Sequence, residues 1–310
     1  NEATVEAFKN YCQYVTEQLG DLMHYVCTIN EANMGIQVAA ISARYRAQMM
    51  AKMQRMQQGG AEEKKDLEGT AQVGMNFNDM MANMQKQKEE NVEVFGTDTL
   101  QTFVSARTPE GDMLVIRAHQ AARAAMKAVK PELQIGLTLS LHDIQAQEGG
   151  EETAAKEWVD EFTHYVPYIK EDDFFGLQNY SRSLIGPNGI LPVPEGAEIT
   201  QMDYEYYPEG LEHVIRRVYE EMPMPIMVTE NGIATADDTR RVAYIQTAMK
   251  GVENCIQDGI PVKGYMYWSM MDNFEWQKGF GMTFGLISVD RTTQTRTAKP
   301  SLTVLGNYTK

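Results

Sequence analysis

Apolar residues at Val5, Phe8, Cys12, Val15 and Leu19 recur at alternating intervals of three and four positions. This spacing lines one face of a 3.6-residue helix and predicts an amphipathic helix that Gly20 ends. A short apolar stretch, Met23 to Ile29, follows and runs straight into polar Asn30 and Glu31. It is too brief for a helix and partly β-branched. It therefore predicts a buried strand with a functional loop at its C-terminal end.

The same cycle recurs along the chain. A helix is predicted around Met113 to Val129, stopped by Pro131, and then a strand from Gln134 to Leu141. A second pair is a helix around Thr153 to Tyr165 and a strand from Asp173 to Gln178. Pro208 opens a helix striped by Leu211, Ile215, Val218 and Met222 before the strand Ile226 to Thr229. Val242, Ile245, Met249, Val252 and Ile256 mark another helix, closed near Gly259, before the strand Val262 to Trp268.

Five such units predict a parallel sheet covered by helices, either an open doubly wound sheet or a closed barrel. No G-x-G-x-x-G follows any of these strands, which weighs against a dinucleotide site. Polar residues stand just after the strands instead: Glu31, His142, Tyr180, Glu230 and Ser269. That is the pattern of a (β/α)8 TIM barrel, whose active site gathers at the C-terminal ends of its strands. Residues 49–110 interrupt the cycle with eight of the chain's 21 Met and several charged or Gly-rich runs. They read as an insertion with a helical core stripe, in preference to a partner-binding surface or a cover over a site.

Composition narrows the partners. Forty-three acidic residues against 28 basic give a net charge of −15, with no local basic patch, which disfavours nucleic acid and anionic membrane surfaces. No apolar run approaches the roughly 20 residues of a membrane span. Cys12, Cys27 and Cys255 are scattered, so neither a zinc site nor a redox pair is expected, and a reducing cytoplasm is the simplest location. The first residues carry no secretory signal, and the chain starts on Asn1 without an initiating Met.

The candidate chemistry centres on Glu31 and Glu230, each at the end of a predicted buried strand. Two carboxylates on different strands of one barrel face each other across its mouth. Glycoside hydrolysis needs that pair, because the leaving oxygen must be protonated while the oxocarbenium-like centre is attacked or stabilised from the other side. With 43 acidic residues the bare pair could be accidental; the surrounding words decide. T-I-N-E-A stands at 28–32 and V-T-E-N-G at 228–232. F-F-G-L-Q-N-Y-S stands at 174–181, and Y-W-S-M-M-D-N-F-E-W-Q-K-G-F at 267–280 precedes F-G-L-I-S-V-D.

These segments resemble glycoside hydrolase family 1, the β-glucosidase family, and the resemblance runs essentially from residue 1 to residue 310. It implies that Glu31 is the general acid/base and Glu230 the nucleophile. Asn30 is implied to bond the sugar's 2-hydroxyl, and the Tyr180 hydroxyl to bond the nucleophile. By the same resemblance Trp268 stacks on the sugar ring, Glu275 and Trp276 bind its distal hydroxyls, and Phe284 lines the pocket. Ala32 replaces the family's usual Pro, and Gln178 its more usual Asn.

Physically, a sugar offers hydroxyls at its rim and C–H bonds on its faces, so carboxylate, amide and aromatic side chains are the types required. Glu275 implies an unphosphorylated substrate, because a carboxylate in that corner repels a phosphate dianion. No metal or organic cofactor is implied; the partner is a small β-glycoside or short oligosaccharide. His24 and His119 are expected to be structural, and His142 and Asp143 to be solvated loop residues in preference to contacts for a leaving group. Matching the strands makes the first one here the family's fourth. The chain thus corresponds to about strands 4 to 8, and two readings remain: an incomplete β-glycosidase, or an inactive partial barrel with at most weak sugar binding.

Overall fold

The computed structural model describes residues 1–43, 77–98, 100 and 105–309. The helices of the described chain are α1 (Glu2–Leu19), α2 (34–43), α3 (Phe77–Phe95), α4 (Pro109–Val129), α5 (Glu151–Glu161), α6 (Val166–Ile169), α7 (Gly210–Glu221), α8 (Asp238–Gln257) and α9 (Pro300–Gly306). The strands are β1 (Tyr25–Cys27), β2 (Gln134–Ser140), β3 (Asp143–Ala146), β4 (Phe174–Gln178), β5 (Arg182–Gly186), β6 (Gly189–Ile190), β7 (Ile226–Asn231), β8 (Val262–Tyr267), β9 (Ile287–Val289) and β10 (Arg296–Ala298).

Local chemistry sets the helix starts. The Asn1 side chain accepts from the Thr4 N–H at the head of α1. Thr108 caps α4, with Pro109 in its first turn and Glu110 and Asp112 beside the positive end of the dipole. Asp237 caps α8 in the same way.

The main sheet is fully parallel with strand order β1-β2-β4-β7-β8, the succession expected of part of a (β/α)8 barrel. Along it Leu137 pairs with Phe175 and Phe175 with Ile226, while Leu139 pairs with Leu177 and Leu177 with Val228. These six join Ile116 of α4, Trp158 of α5, Leu211 and Ile215 of α7 and Tyr244 and Val252 of α8 in one buried cluster. Burying an aliphatic or aromatic side chain contributes about 1.5–3 kcal/mol, so sheet–helix packing outweighs helix propensity in fixing the architecture. Central β2 and β4 are buried almost throughout, whereas Tyr25 on β1 and Met266 on β8 are about half exposed at the two edges.

Several boundaries differ from the sequence reading. Helix α1 does end at Leu19 with Gly20 as its cap, but the chain continues through a 3-10 turn over Gly20–Leu22, and the other ends shift. The first strand pairs over Tyr25–Cys27 only, shorter than Met23 to Ile29. The helix predicted to reach Tyr165 breaks at Phe162, and Thr163–Tyr165 forms a 3-10 turn. Strand β7 extends to Asn231, so Glu230 lies inside the strand and not after it.

Most of the expected insertion at 49–110 lies outside the described residues. Its described helix, α3, has no buried apolar stripe among its described side chains: only Asn91 is buried, while Val92, Val94 and Phe95 are exposed. Beyond the main sheet, β3, β5 and β6 form a small sheet and β9–β10 a hairpin, none of them predicted.

Candidate active site

The residues after the parallel strands converge on one cavity of about 430 Å3. Asn30, Glu31, Tyr180, Glu230, Trp268, Glu275, Trp276 and Phe284 all line it, so the structure brings every sequence-predicted site residue to one place.

Glu230 is held from two sides. The Tyr180 hydroxyl donates to its Oε2 at 2.6 Å, and the Asn30 Nδ2 faces its Oε1 at 3.4 Å. Burial raises the Glu230 pKa, while these hydrogen bonds oppose the shift by favouring the ionised form. Glu31 has a left-handed backbone, φ 46°, held where its N–H donates to Thr138 Oγ1 at 2.8 Å and the Ala32 N–H donates to the Thr138 carbonyl at 3.0 Å. Burial first, then the nearby Glu230 and Glu275, push the Glu31 pKa up to about 7.

A second tier fixes the loop after β1. Asn33, fully buried, donates to the carbonyls of Ser140 and Glu161 and accepts from the Ser140 N–H. Arg107 donates to the Ala32 carbonyl and pairs with Asp112. His119 is structural as expected: it bonds Thr28 at 2.7 Å and Asp172 at 3.1 Å, tying the end of β1 to α4.

On the other side, Gly232 of V-T-E-N-G is required by a close approach, since a Cβ there would sit 2.0 Å from the Trp268 carbonyl oxygen. The Trp268–Ser269 peptide is cis. Phe284 is 2% exposed and packs edge-on against Tyr180, so it both lines the cavity and braces that ring. Asn273 donates to Glu275 Oε2 at 3.0 Å, and Lys299 and the Gly285 N–H hold Asp272 one residue earlier. Trp276 is 70% exposed, at the cavity's outer rim.

Of the two residues expected in a solvated loop, His142 does lie in a loop but is mostly covered, and Asp143 is in a strand. His142 bonds Glu161 through both its backbone N–H and its ring Nδ1, and it lines the cavity. Asp143 begins β3, is buried, and bonds Gln145 and His213. Their polarity alone suggested solvent; Asp143 belongs to a small sheet that does not show in strand periodicity, and His142 is taken up by Glu161 at the end of α5.

Sequence reasoning also missed Thr138, Tyr204 and Arg182, and it noted Gln178 only as a departure from the family's usual Asn. Thr138 and Gln178 lie within strands whose apolar run suggested only burial. Tyr204 is partly buried at the cavity wall, and desolvation and Glu275 raise its pKa. Arg182 makes two bonds to the Glu205 carboxylate, at 2.7 and 2.8 Å. Among the described residues no cluster of ligands suited to a metal ion occurs, and no helix is long and apolar enough to cross a membrane.

Comparison with known proteins agrees with this geometry. The chain is 37% identical over 147 residues to a 1,4-beta-D-glucan glucohydrolase of Thermotoga neapolitana, a match covering 43% of this chain and 33% of that protein. The crystal structure of beta-glycosidase BGL167 superposes with a TM-score of 0.77 at 40% identity, over 99% of this chain and 67% of the other. A beta-glucosidase 1317 structure gives 0.80 at 33% identity, over 99% and 68%. The chain thus spans about two thirds of these solved structures, and its match a third of the curated relative. A family model described as Glycosyl hydrolase family 1 matches residues 1–308. With its paired carboxylates at the strand ends and this match over nearly its full length, the chain belongs to glycosyl hydrolase family 1.

Proposed function

We propose that this chain carries the catalytic carboxylates of a retaining β-glycosidase. Its substrate is the terminal non-reducing β-D-glucosyl, or a closely related, residue of an unphosphorylated β-glucoside or short oligosaccharide. The observation that carries this reading is the asymmetry of two carboxylates in one cavity. Glu230 accepts hydrogen bonds from Tyr180 and Asn30, while Glu31 is pushed up to about 7.

In the first step a Glu230 oxygen attacks the anomeric carbon and the bond to the leaving oxygen breaks, with Glu31 giving its proton to that oxygen. In the second, Glu31 takes a proton from water, the water oxygen bonds to the anomeric carbon, and the Glu230 carboxylate departs. Retention requires the two carboxyl groups roughly 5–5.5 Å apart. Trp268 supplies an apolar face for the ring, and Glu275 and Trp276 its distal contacts.

Three carboxylates around one cavity, Glu31, Glu230 and Glu275, support an uncharged glycone, since a phosphate dianion would meet a field of its own sign. The three free cysteines suit a reducing cytoplasm. The second reading, a partial barrel without turnover, draws on the half-exposed edge strands β1 and β8.

The test is the stereochemistry of the first product. Proton NMR of an aryl β-glucoside digest should show the β-anomer of the free sugar first; initial release of the α-anomer would sink the retaining assignment. Glu230→Gly should abolish hydrolysis, and with added azide should yield an α-glycosyl azide.

A further inference from the structure

The Asn30 amide could present either its NH2 or its oxygen to Glu230, and only one orientation favours a carboxylate. Two buried side chains make the choice. The Gln178 Nε2 donates to Asn30 Oδ1 at 2.8 Å, and Thr138 Oγ1 lies 3.1 Å from the same oxygen. Because Thr138 Oγ1 accepts from the Glu31 N–H at 2.8 Å, its own proton is free to point at Asn30, nearer than its alternative acceptor, the Ile29 carbonyl at 3.4 Å. Turning the amide would set its NH2 against the Gln178 NH2 and drive the Thr138 proton to the longer Ile29 contact, so the Asn30 Nδ2 stays toward Glu230.

We propose that Thr138 and Gln178 are positioning residues, which hold the Asn30 amide toward Glu230 while the Thr138 hydroxyl also fixes the left-handed backbone of Glu31. The proposal rests on the reading of Glu31 and Glu230 given above. Both side chains are essentially inaccessible, 1% and 0% exposed, so water does not compete for these bonds. The sheet places them. Gly176 is the register partner of Thr138, and a Cβ there would lie 2.5 Å from Thr138 Cγ2, so the glycine makes room for the threonine. Gln178 is the register partner of Glu230 itself, after the irregularity that follows Leu177.

The acid/base and the amide beside the nucleophile thus hang on one hydroxyl from β2. The groups acting on Glu230 are Tyr180 and Gln178 from β4 and its following segment, Asn30 and Glu31 from the loop after β1, and Glu275 from the loop after β8.

Thr138 makes the cleaner test, because Gln178 also favours the ionised form of Glu230 directly. The measurement is the pH titration of Glu230 by carboxyl 13C NMR, its signal assigned by loss in Glu230→Gln. Thr138→Val should raise the midpoint by about half a pH unit or more, because a misplaced amide no longer donates to the carboxylate. In an Asn30→Ala background the same substitution should shift it by less than about a fifth of that.

With an aryl β-glucoside, kcat/KM should fall about tenfold in Thr138→Val and recover to within about threefold in Thr138→Ser. An unmoved midpoint in Thr138→Val, or a shift of equal size without Asn30, overturns the proposal. Should the valine variant fail to fold, Thr138→Ala carries the same comparison. The titration needs no turnover, so a chain that does not hydrolyse glycosides would count against the proposed function and leave this test intact.

Discussion

At Glu31 two effects act in the same direction: burial removes water from the carboxylate, and Glu230 and Glu275 oppose its charge. Removing one like charge must lower the pKa. Glu230→Gln should therefore move the Glu31 midpoint below about 7, toward 4.5, measurable by carboxyl 13C titration; an unchanged midpoint would remove Glu230 as a cause and leave burial and Glu275. For the active enzyme the sign is set by the acid role. Under the proposed acid role activity needs protonated Glu31, so kcat/KM should decline as pH rises through about 7. The same raised pKa costs stability: the folded state holds a proton that the unfolded chain releases above 4.5, so stability falls between about 4.5 and 7 and is flat above. Glu31→Gln should accordingly melt about 2 °C or more above the unmutated chain at pH 8, and by little at pH 4. An equal gain at both pH values would reject ionisation as its origin.

At the scale of elements, strand ends carry the site and loops are pinned to strands. Asn33 ties the loop after β1 to β2 and to the end of α5 by three hydrogen bonds, without touching the reacting groups. Asn33→Ala should cost about 2 kcal/mol in a urea melt, because the Glu161 carbonyl and the Ser140 N–H lose the Asn33 amide, while the Ser140 carbonyl keeps that of Gln37. Gly232→Ala should be at least as costly, about 2 kcal/mol or more, since the Trp268 carbonyl must move from a 2.0 Å approach and shift the cavity-lining Trp268 with it. The element type was readable from period and length: α1, α4, α7 and α8 stand where their stripes predicted them. Their exact ends were not. Helix α5 stops at Phe162, whose ring packs against Trp158 and against Phe175 of β4, and that tertiary contact is not written in the helix's own period.

For the whole molecule the parallel sheet has two edge strands among the described residues. Tyr25 and Met266 are 48% and 50% exposed there, and unpaired backbone groups at a sheet edge recruit other strands. Residues 1–310 alone should therefore associate at micromolar concentration despite a net charge of −15, and Met266→Lys should shift sedimentation toward monomer. Monomer throughout, with or without the lysine, would show that the edges are protected.

The sequence by itself determined the class of architecture, the two carboxylates and the aromatic and acidic residues around them. Apolar period and the motif words are local properties of the chain, and Glu31, Tyr180, Glu230, Trp268 and Glu275 could each be found from their own neighbours. What only the tertiary structure decided is how those residues are held. Thr138, Gln178, Asn33 and Phe284 act across strands and loops far apart in sequence, and a threonine or glutamine inside an apolar run carries no mark of the hydrogen bond it makes. The raised pKa of Glu31 belongs to the same class, for it arises from burial and from two carboxylates roughly 200 and 240 positions away that only folding brings into one cavity.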